Sequence, residues 1–303
     1  MTDSHHQKQI LVGISLAVLA TLIWSGNFII ARGVIKSIPP ISLAFYRWLT
    51  ATLIILPFAW KHFSKEWKII KTHFLYLFFA AVTGVSMFNT FVYIAGHYSE
   101  AINLALIGTT SSPIISVILA KIFLKERISV IRITGMIVCI SGILLLLSKG
   151  SIQNLLSLSF SKGDWWILAA GFSFAVYNTL AKKKPATMNS VNFLFVVFAI
   201  GTLLLVPFYL NELNTTGGFA IDLSNLSVIL YLGLGTSVIC FLFWNVAIAR
   251  LGSGRTALFG NLIPVFSSIE AVLILGEKVT WIYSTSFVLV ITGLIIANLQ
   301  KRN

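Results

Sequence analysis

The sequence has little charge, and acid least of all. Of its 303 residues only 9 are Asp or Glu, against 22 Lys or Arg. Charged residues make up 10% of the chain, where a soluble domain carries about 25%. So few charges cannot clothe a water-facing surface, which excludes a soluble enzyme, a nucleic-acid binder and a disordered chain. Cysteine is nearly absent. Cys139 and Cys240 stand singly in apolar runs, so neither a disulfide framework nor thiol chemistry follows. The five histidines avoid the middles of those runs, and no H-E-x-x-H pair or Cys/His cluster offers metal ligands. There is no G-x-x-x-x-G-K-[ST] loop, so nucleotide hydrolysis lacks its phosphate cradle. Only one carboxylate lies in mid-run, which removes a paired aspartyl site. No enzyme chemistry, cofactor or nucleic-acid partner is expected.

What is abundant is apolar: 57% of residues, with a mean hydropathy of +0.92. A bilayer core needs about 20 apolar residues per helix. Ten such runs occur, at 10–31, 41–60, 74–95, 101–123, 128–147, 164–181, 189–210, 226–249, 254–275 and 279–299. They are continuously apolar rather than alternating, which excludes a membrane barrel. The first is longer than a signal-peptide core and reads as an uncleaved span. The expected fold is therefore an all-α integral membrane protein with ten transmembrane helices. With the N-terminus inside, 16 Lys and Arg fall on inner segments and 5 on outer ones. Both termini are thus expected in the cytoplasm, and the formal charge of +13 is largely an orientation signal. The plasma membrane, a bacterial inner membrane, is the expected location.

The two halves match. At a shift of 150, Leu56-Pro57-Phe58 falls on Val206-Pro207-Phe208. At a shift of 151, ten of the 47 positions 101–147 meet identical residues, among them Pro113 with Pro264, Glu126 with Glu277 and Gly142 with Gly293. Each half holds five runs, an odd number, so the second half enters the membrane from the opposite side. The expected organisation is two inverted five-helix repeats, 1–148 and 163–303, a recurring transporter design.

Several motifs carry a family resemblance. They are Trp24-Ser25-Gly26-Asn27-Phe28, Arg47, Tyr93-Ile-Ala-Gly-His-Tyr-Ser-Glu-Ala101, and Lys125-Glu126-Arg127 after Pro113. The second half adds Gly233-Leu-Gly-Thr-Ser237, Phe243-Trp-Asn-Val-Ala247, Arg250-Leu-Gly-Ser-Gly254, Asn261-Leu-Ile-Pro-Val-Phe266 and Gly276-Glu277-Lys278. Together they resemble the EamA-like drug/metabolite transporters over about residues 10–299. The resemblance implies ten helices, internal termini and movement of small metabolites, often outward. Many relatives carry an acidic residue where this chain has Ile263.

Polar residues within spans mark either helix contacts or the transport path. Arg47 and Glu270 lie at similar depth in runs two and nine. They are expected to face a polar cavity near the outer mouth, as an ion pair or separately. A structural pair, or side chains snorkelling to the surface, is the alternative. A second set comprises Trp24, Asn27, Tyr46, Asn89, Tyr93, Tyr177, Trp244 and Asn261, with Asn178 and Asn245 beside them. Aromatics give apolar walls and amides orient a ligand, although interfacial belts use the same residue types. Pro113 and Pro264 bend their helices as hinges or fixed kinks. Glu126 and Glu277 are expected to cap or gate at span ends. Gly135/Gly142 and Ser286/Gly293 are each spaced by seven, for close helix contact within one chain or in a dimer. The expected function is export of small metabolites such as amino acids by alternating access at a central cavity. A drug or toxin carrier is the alternative, with a channel behind it. The expected partners are a small-molecule substrate and the lipid bilayer, with the chain a monomer or homodimer.

Overall fold

A computed structural model describes residues 2–34, 37–98, 101–156, 161–275 and 281–299. Side chains are described for these except 2–6, 27–34, 101–106, 271, 272, 274 and 275. All elements among these residues are helical. The first half contains α1 (Thr2–Val34), α2 (Pro40–Lys65), α3 (Trp67–Thr72), α4 (Phe74–Ala81), α5 (Phe88–Tyr98), α6 (Ala101–Leu124) and α7 (Val130–Leu147). After the short α8 (Ile152–Leu156) come α9 (Lys162–Lys182), α10 (Ser190–Thr216), α11 (Leu223–Leu230), α12 (Cys240–Leu251), α13 (Ser253–Leu258), α14 (Ile263–Leu275) and α15 (Trp281–Asn298).

Local chemistry sets the ends. Pro40 opens α2, where its missing N–H costs nothing. Ser129, Asn189 and Asp222 accept backbone N–H groups at the starts of α7, α10 and α11. Gly217, with φ +74°, closes α10 in the left-handed conformation. Two π-wound segments interrupt otherwise regular helices: Val82–Met87 joins α4 to α5, and Tyr231–Ile239 joins α11 to α12. At the 151 shift the first falls inside the second, so both halves widen their helix at the same place.

Eight stretches among the described residues are long and apolar enough to cross a membrane. Two of the ten expected runs differ. Residues 164–181 lie in α9, a 21-residue helix that turns Asp164, Ser173, Tyr177, Asn178 and Thr179 into the interior. Residues 254–275 are split by a 3-10 turn, Phe259–Leu262, immediately before Pro264. Pro113, its repeat counterpart, sits in the unbroken α6. The break therefore needs more than the proline that both halves share.

The halves pack reciprocally. The α1–α12 contact is the repeat image of α5–α9, and α1–α14 is the image of α6–α9. Two contacts pair an element with its own image. In the first, α2 lies antiparallel to α10. The Glu212 carboxylate near the end of α10 accepts the backbone N–H groups of Ile41 (3.1 Å) and Ser42 (2.6 Å) and the Ser42 hydroxyl (2.7 Å), at the start of α2. At the other end, the Glu66 carboxylate, just after α2, accepts the Asn189 N–H (3.0 Å) and the Asn192 amide (2.7 Å) at the start of α10. A carboxylate is well placed at a helix N-terminus, where backbone donors lack partners. Midway, the hydroxyls of Thr52 and Thr202, exact images at the 150 shift, meet at 3.2 Å. Beside the Glu66 cap, burial holds the Lys184 ammonium below the usual lysine range, with Glu66 opposing the shift.

The second self-paired contact joins α7 to α15. Gly135 lies against Gly293, and Gly142 against Ser286, so the small residues bring two backbones together within one chain. Here the Cys139 thiol donates to the Val290 carbonyl at 3.4 Å. A Cβ at Gly293 would stand 2.6 Å from the Cys139 nitrogen and 2.6 Å from the Gly135 oxygen. Gly293→Val is therefore expected to force α7 and α15 apart at a cost of at least about 1–3 kcal/mol. Gly235→Ala, whose nearest neighbour would be 3.7 Å away, is expected to leave stability near wild type. Thermal unfolding of the purified variants measures both.

Candidate functional site

Two turns into α2 the interior holds a charged residue, Arg47. This residue is 2% exposed. Its Nε donates to Ser237 Oγ at 2.7 Å, one terminal nitrogen to the Tyr93 hydroxyl at 3.0 Å, and the other to the Thr236 carbonyl at 3.2 Å. Its guanidinium also lies 5.1 Å from the centre of the Trp48 ring. Thr236 and Ser237 belong to the second π-wound segment, and Arg47 thus ties the first half to the second. The same Thr236 carbonyl accepts Trp24 Nε1 at 2.8 Å.

Aromatic rings continue from Trp24. Its ring lies 4.9 Å from Trp244, 5.8 Å from Phe174 and 6.0 Å from Phe241. Trp244 Nε1 donates to Asn178 Oδ1 at 2.9 Å, and the Asn178 amide donates onward to Ser116 at 3.2 Å. The Asn245 amide donates to the Tyr177 hydroxyl at 2.7 Å, leaving its own Oδ1 without a partner. Gly84, in the first π-wound segment, lets the Tyr177 ring lie where any Cβ would collide with it. Asn89 is buried, and its amide nitrogen makes no hydrogen bond.

Glu270 lies on the far side of α1. Its Oε1 accepts the Ser25 hydroxyl at 2.6 Å, and its buried Oε2 has no partner. Arg47 and Glu270 therefore have separate partners and are not an ion pair. Among the described residues the recorded ion pair is Arg132–Glu126, at 3.9 Å. Tyr231 donates to the Ile23 carbonyl at 2.7 Å, so residues 23–25 of α1 hold Tyr231, Thr236 and Glu270 in succession.

Of the expected site residues, Trp24, Arg47, Tyr93, Tyr177 and Trp244 thus come together, with Glu270 behind the same turn of α1. Tyr46 joins a different cluster: its hydroxyl meets that of Tyr209 at 2.9 Å, with Phe45 and Phe219 around it. One step along a helix turns a side chain by about 100°, which separates Tyr46 from Arg47. Asn261 is buried in the 3-10 turn beside Cys139, and neither of its amide atoms completes a hydrogen bond. Pro113 packs near Gly260, at the same turn. Glu126 accepts the Ser253 N–H at 3.0 Å and fills the space beside Gly252, so it caps the start of α13. The Asn27 side chain and all of Glu277 lie outside the described residues. Sequence reasoning missed Ser237, Tyr231 and Phe174 as neighbours of Arg47 and Trp24. It also missed Glu66, Glu212, Thr52 and Thr202, although the last two coincide at the 150 shift.

These features define a multi-pass helical membrane protein with a buried polar centre shared by two like halves. The EamA-like transporter family model matches residues 11–148 and again 161–299, and the chain belongs to that family. It is 27% identical over 291 residues to an uncharacterized transporter of Archaeoglobus fulgidus, covering 94% of this chain and 97% of that one. It is 26% identical over 294 residues to a probable amino-acid metabolite efflux pump of Salmonella typhimurium, covering 93% of each. A crystal structure 16% identical in sequence superposes over 96% of both chains with a TM-score of 0.76, which shows the shared fold.

Trp244→Phe would strand the buried Asn178 carbonyl, at an expected cost of about 1–3 kcal/mol. Adding Asn178→Leu is expected to recover part of that loss, and a double-mutant cycle of unfolding free energies in detergent reads the coupling.

Proposed function

We propose that this protein is a carrier that exports small metabolites such as amino acids by alternating access. On this reading α9 and the broken stretch from α13 to α14 also cross the membrane, giving ten spans. The halves 1–148 and 163–303 are inverted repeats, and both termini face the cytoplasm of a bacterial cell. The observation that carries the reading is the antiparallel pairing of α2 with its own repeat image, with Arg47 buried two turns into α2. Inverted copies of one unit exchange roles when the protein turns from inward-open to outward-open. Glu66 and Glu212 tie opposite ends of that pairing, where the two openings would alternate. Trp24, Asn27, Tyr46, Arg47, Asn89, Tyr93, Tyr177, Trp244, Asn261 and Glu270 are the proposed substrate-binding set. Pro113, Pro264, Glu126 and Glu277 are the proposed hinge and gate positions. The name of the Salmonella relative, a probable amino-acid metabolite efflux pump, supports outward transport of amino-acid metabolites. A buried guanidinium with no carboxylate partner among the described residues, beside the aromatic wall, disfavours cationic drugs.

Counterflow in liposomes tests this reading. Labelled amino acid is expected to enter vesicles preloaded with the unlabelled compound, with a rate that saturates. Flux that rises linearly with concentration and shows no trans-stimulation would mean a channel.

A further inference from the structure

We propose that Glu270 is a proton-binding site. Its carboxyl group carries a proton in this conformation and releases it when α1 and α14 part. This rests on the carrier reading above and gives it a coupling ion.

Ser25 Oγ lies 2.5 Å from the Leu22 carbonyl oxygen and 2.6 Å from Glu270 Oε1. Both are short O–H···O distances, so each contact needs a hydrogen. A serine hydroxyl has one, and neither a backbone carbonyl nor an ionised carboxylate has any. Whichever way the hydroxyl turns, two bare oxygens would meet at the other contact. The neighbouring hydroxyls of α14 are committed elsewhere: Ser267 donates to the Ser25 carbonyl at 3.1 Å, and Ser268 to the Pro264 carbonyl at 2.8 Å. A protonated Glu270 supplies the second hydrogen. Its Oε1–H donates to Ser25 Oγ, and Ser25 donates to Leu22. The other carboxyl oxygen agrees. Oε2 is buried without a partner, which is costly for an ionised carboxylate and far less so for the carbonyl oxygen of a neutral acid.

The surroundings offer no opposite charge in place of the proton. The elements packed against α14 are α1, α6, α15 and the 3-10 turn. Their described titratable side chains are Lys8, Lys121 and Tyr283. Lys8 stands seventeen residues before Ser25, about 25 Å along the helix. Lys121 follows Ala120, which meets Gly254 at the opposite end of the broken stretch. Tyr231 lies within electrostatic reach of Glu270 and of Arg47, but its hydroxyl donates to the Ile23 carbonyl. Arg47 spends its bonds on Ser237, Tyr93 and Thr236. On release, the proton passes from Oε1 to water, the electron pair of the O–H bond stays on the carboxylate, and the Ser25 hydrogen swings from Leu22 to Oε1. The new charge then needs water at Oε2, which the packed α1–α14 contact excludes. Proton release is thereby tied to separation of α1 from α14, the kind of movement that alternating access requires. Trp24, one residue before Ser25, shares the Thr236 carbonyl with Arg47, so the same turn of α1 connects the proton to the buried centre.

Infrared spectroscopy of the purified protein at neutral pH tests the site, because a protonated carboxyl has a carbonyl band separate from the bands of an ionised carboxylate. The wild type is expected to show such a band and Glu270→Gln to lack it. Ser25→Ala, which removes the acceptor, should keep the band at a shifted frequency. Thermal unfolding gives a second reading. A neutral Glu270 loses its proton on unfolding above about pH 4.3, so the folded chain holds the extra proton. Wild-type stability is therefore expected to fall relative to Glu270→Gln as pH rises from about 5 to 7. Neither reading needs transport, so both survive a variant that carries nothing. Identical carboxyl bands in wild type and Glu270→Gln, or a stability gap that does not change with pH, would overturn the proton site. In liposomes with the voltage clamped, a pH gradient of one polarity is expected to concentrate labelled amino acid, up to about tenfold per pH unit for one proton per solute. Equal uptake with and without the gradient would overturn the coupling while saturable counterflow left the carrier reading standing. Absence of counterflow for every solute is what defeats that reading, and the infrared band would stand apart from it.

Discussion

Everything in this structure follows from the need to satisfy polar groups without water. Within apolar helices, a backbone or side-chain group that finds no partner in the protein finds none at all. Here the partners repeatedly come from the other half of the chain. Glu212 and Glu66 complete each other's helix starts, Thr52 meets Thr202, Trp24 reaches Thr236, and Arg47 reaches Ser237. Neither half could close its own account, so the two are one unit. Between α7 and α15, where the Cys139 thiol makes one weak hydrogen bond, glycine supplies the close contact.

The same constraint explains why the polar centre lies where it does. A π-wound turn widens the helix and changes which backbone oxygens face neighbouring side chains. The segment Tyr231–Ile239 presents Thr236 and Ser237 to Arg47 and Trp24. Its counterpart, Val82–Met87, carries Gly84 against Tyr177. One half thus uses the irregular turn to hold a cation, and the other to seat an aromatic ring. Arg47 and Glu270 have apolar images, Val197 and Leu119, so the charges break a symmetry that the backbone keeps.

Much of this was legible in the sequence. The apolar runs give the helices, and the 150–151 register gives the pairing of halves. The motifs around Trp24, Tyr93 and Trp244 mark residues that do converge. Three things were not legible. Apolar content marks residues 164–181 as one more span but does not show that α9 turns Asp164, Tyr177 and Asn178 into the interior. Two prolines in register suggest two equal kinks, yet only the stretch before Pro264 breaks, because local packing decides whether a helix tolerates a missing donor. Equal depth in the membrane leaves an Arg47–Glu270 ion pair open. Depth fixes height but not azimuth, and the two face different neighbours across α1.

The central claim is that α2 and α10 meet as antiparallel images at Thr52 and Thr202. Its most direct test is a disulfide between Thr52→Cys and Thr202→Cys, in a chain with Cys139 and Cys240 replaced by Ala, formed by mild oxidation in native membranes. The account predicts an efficient intramolecular cross-link that holds the two halves together after cleavage of the connection between them. Halves that separate after oxidation, while a Cys pair placed across the α7–α15 contact links, would contradict it.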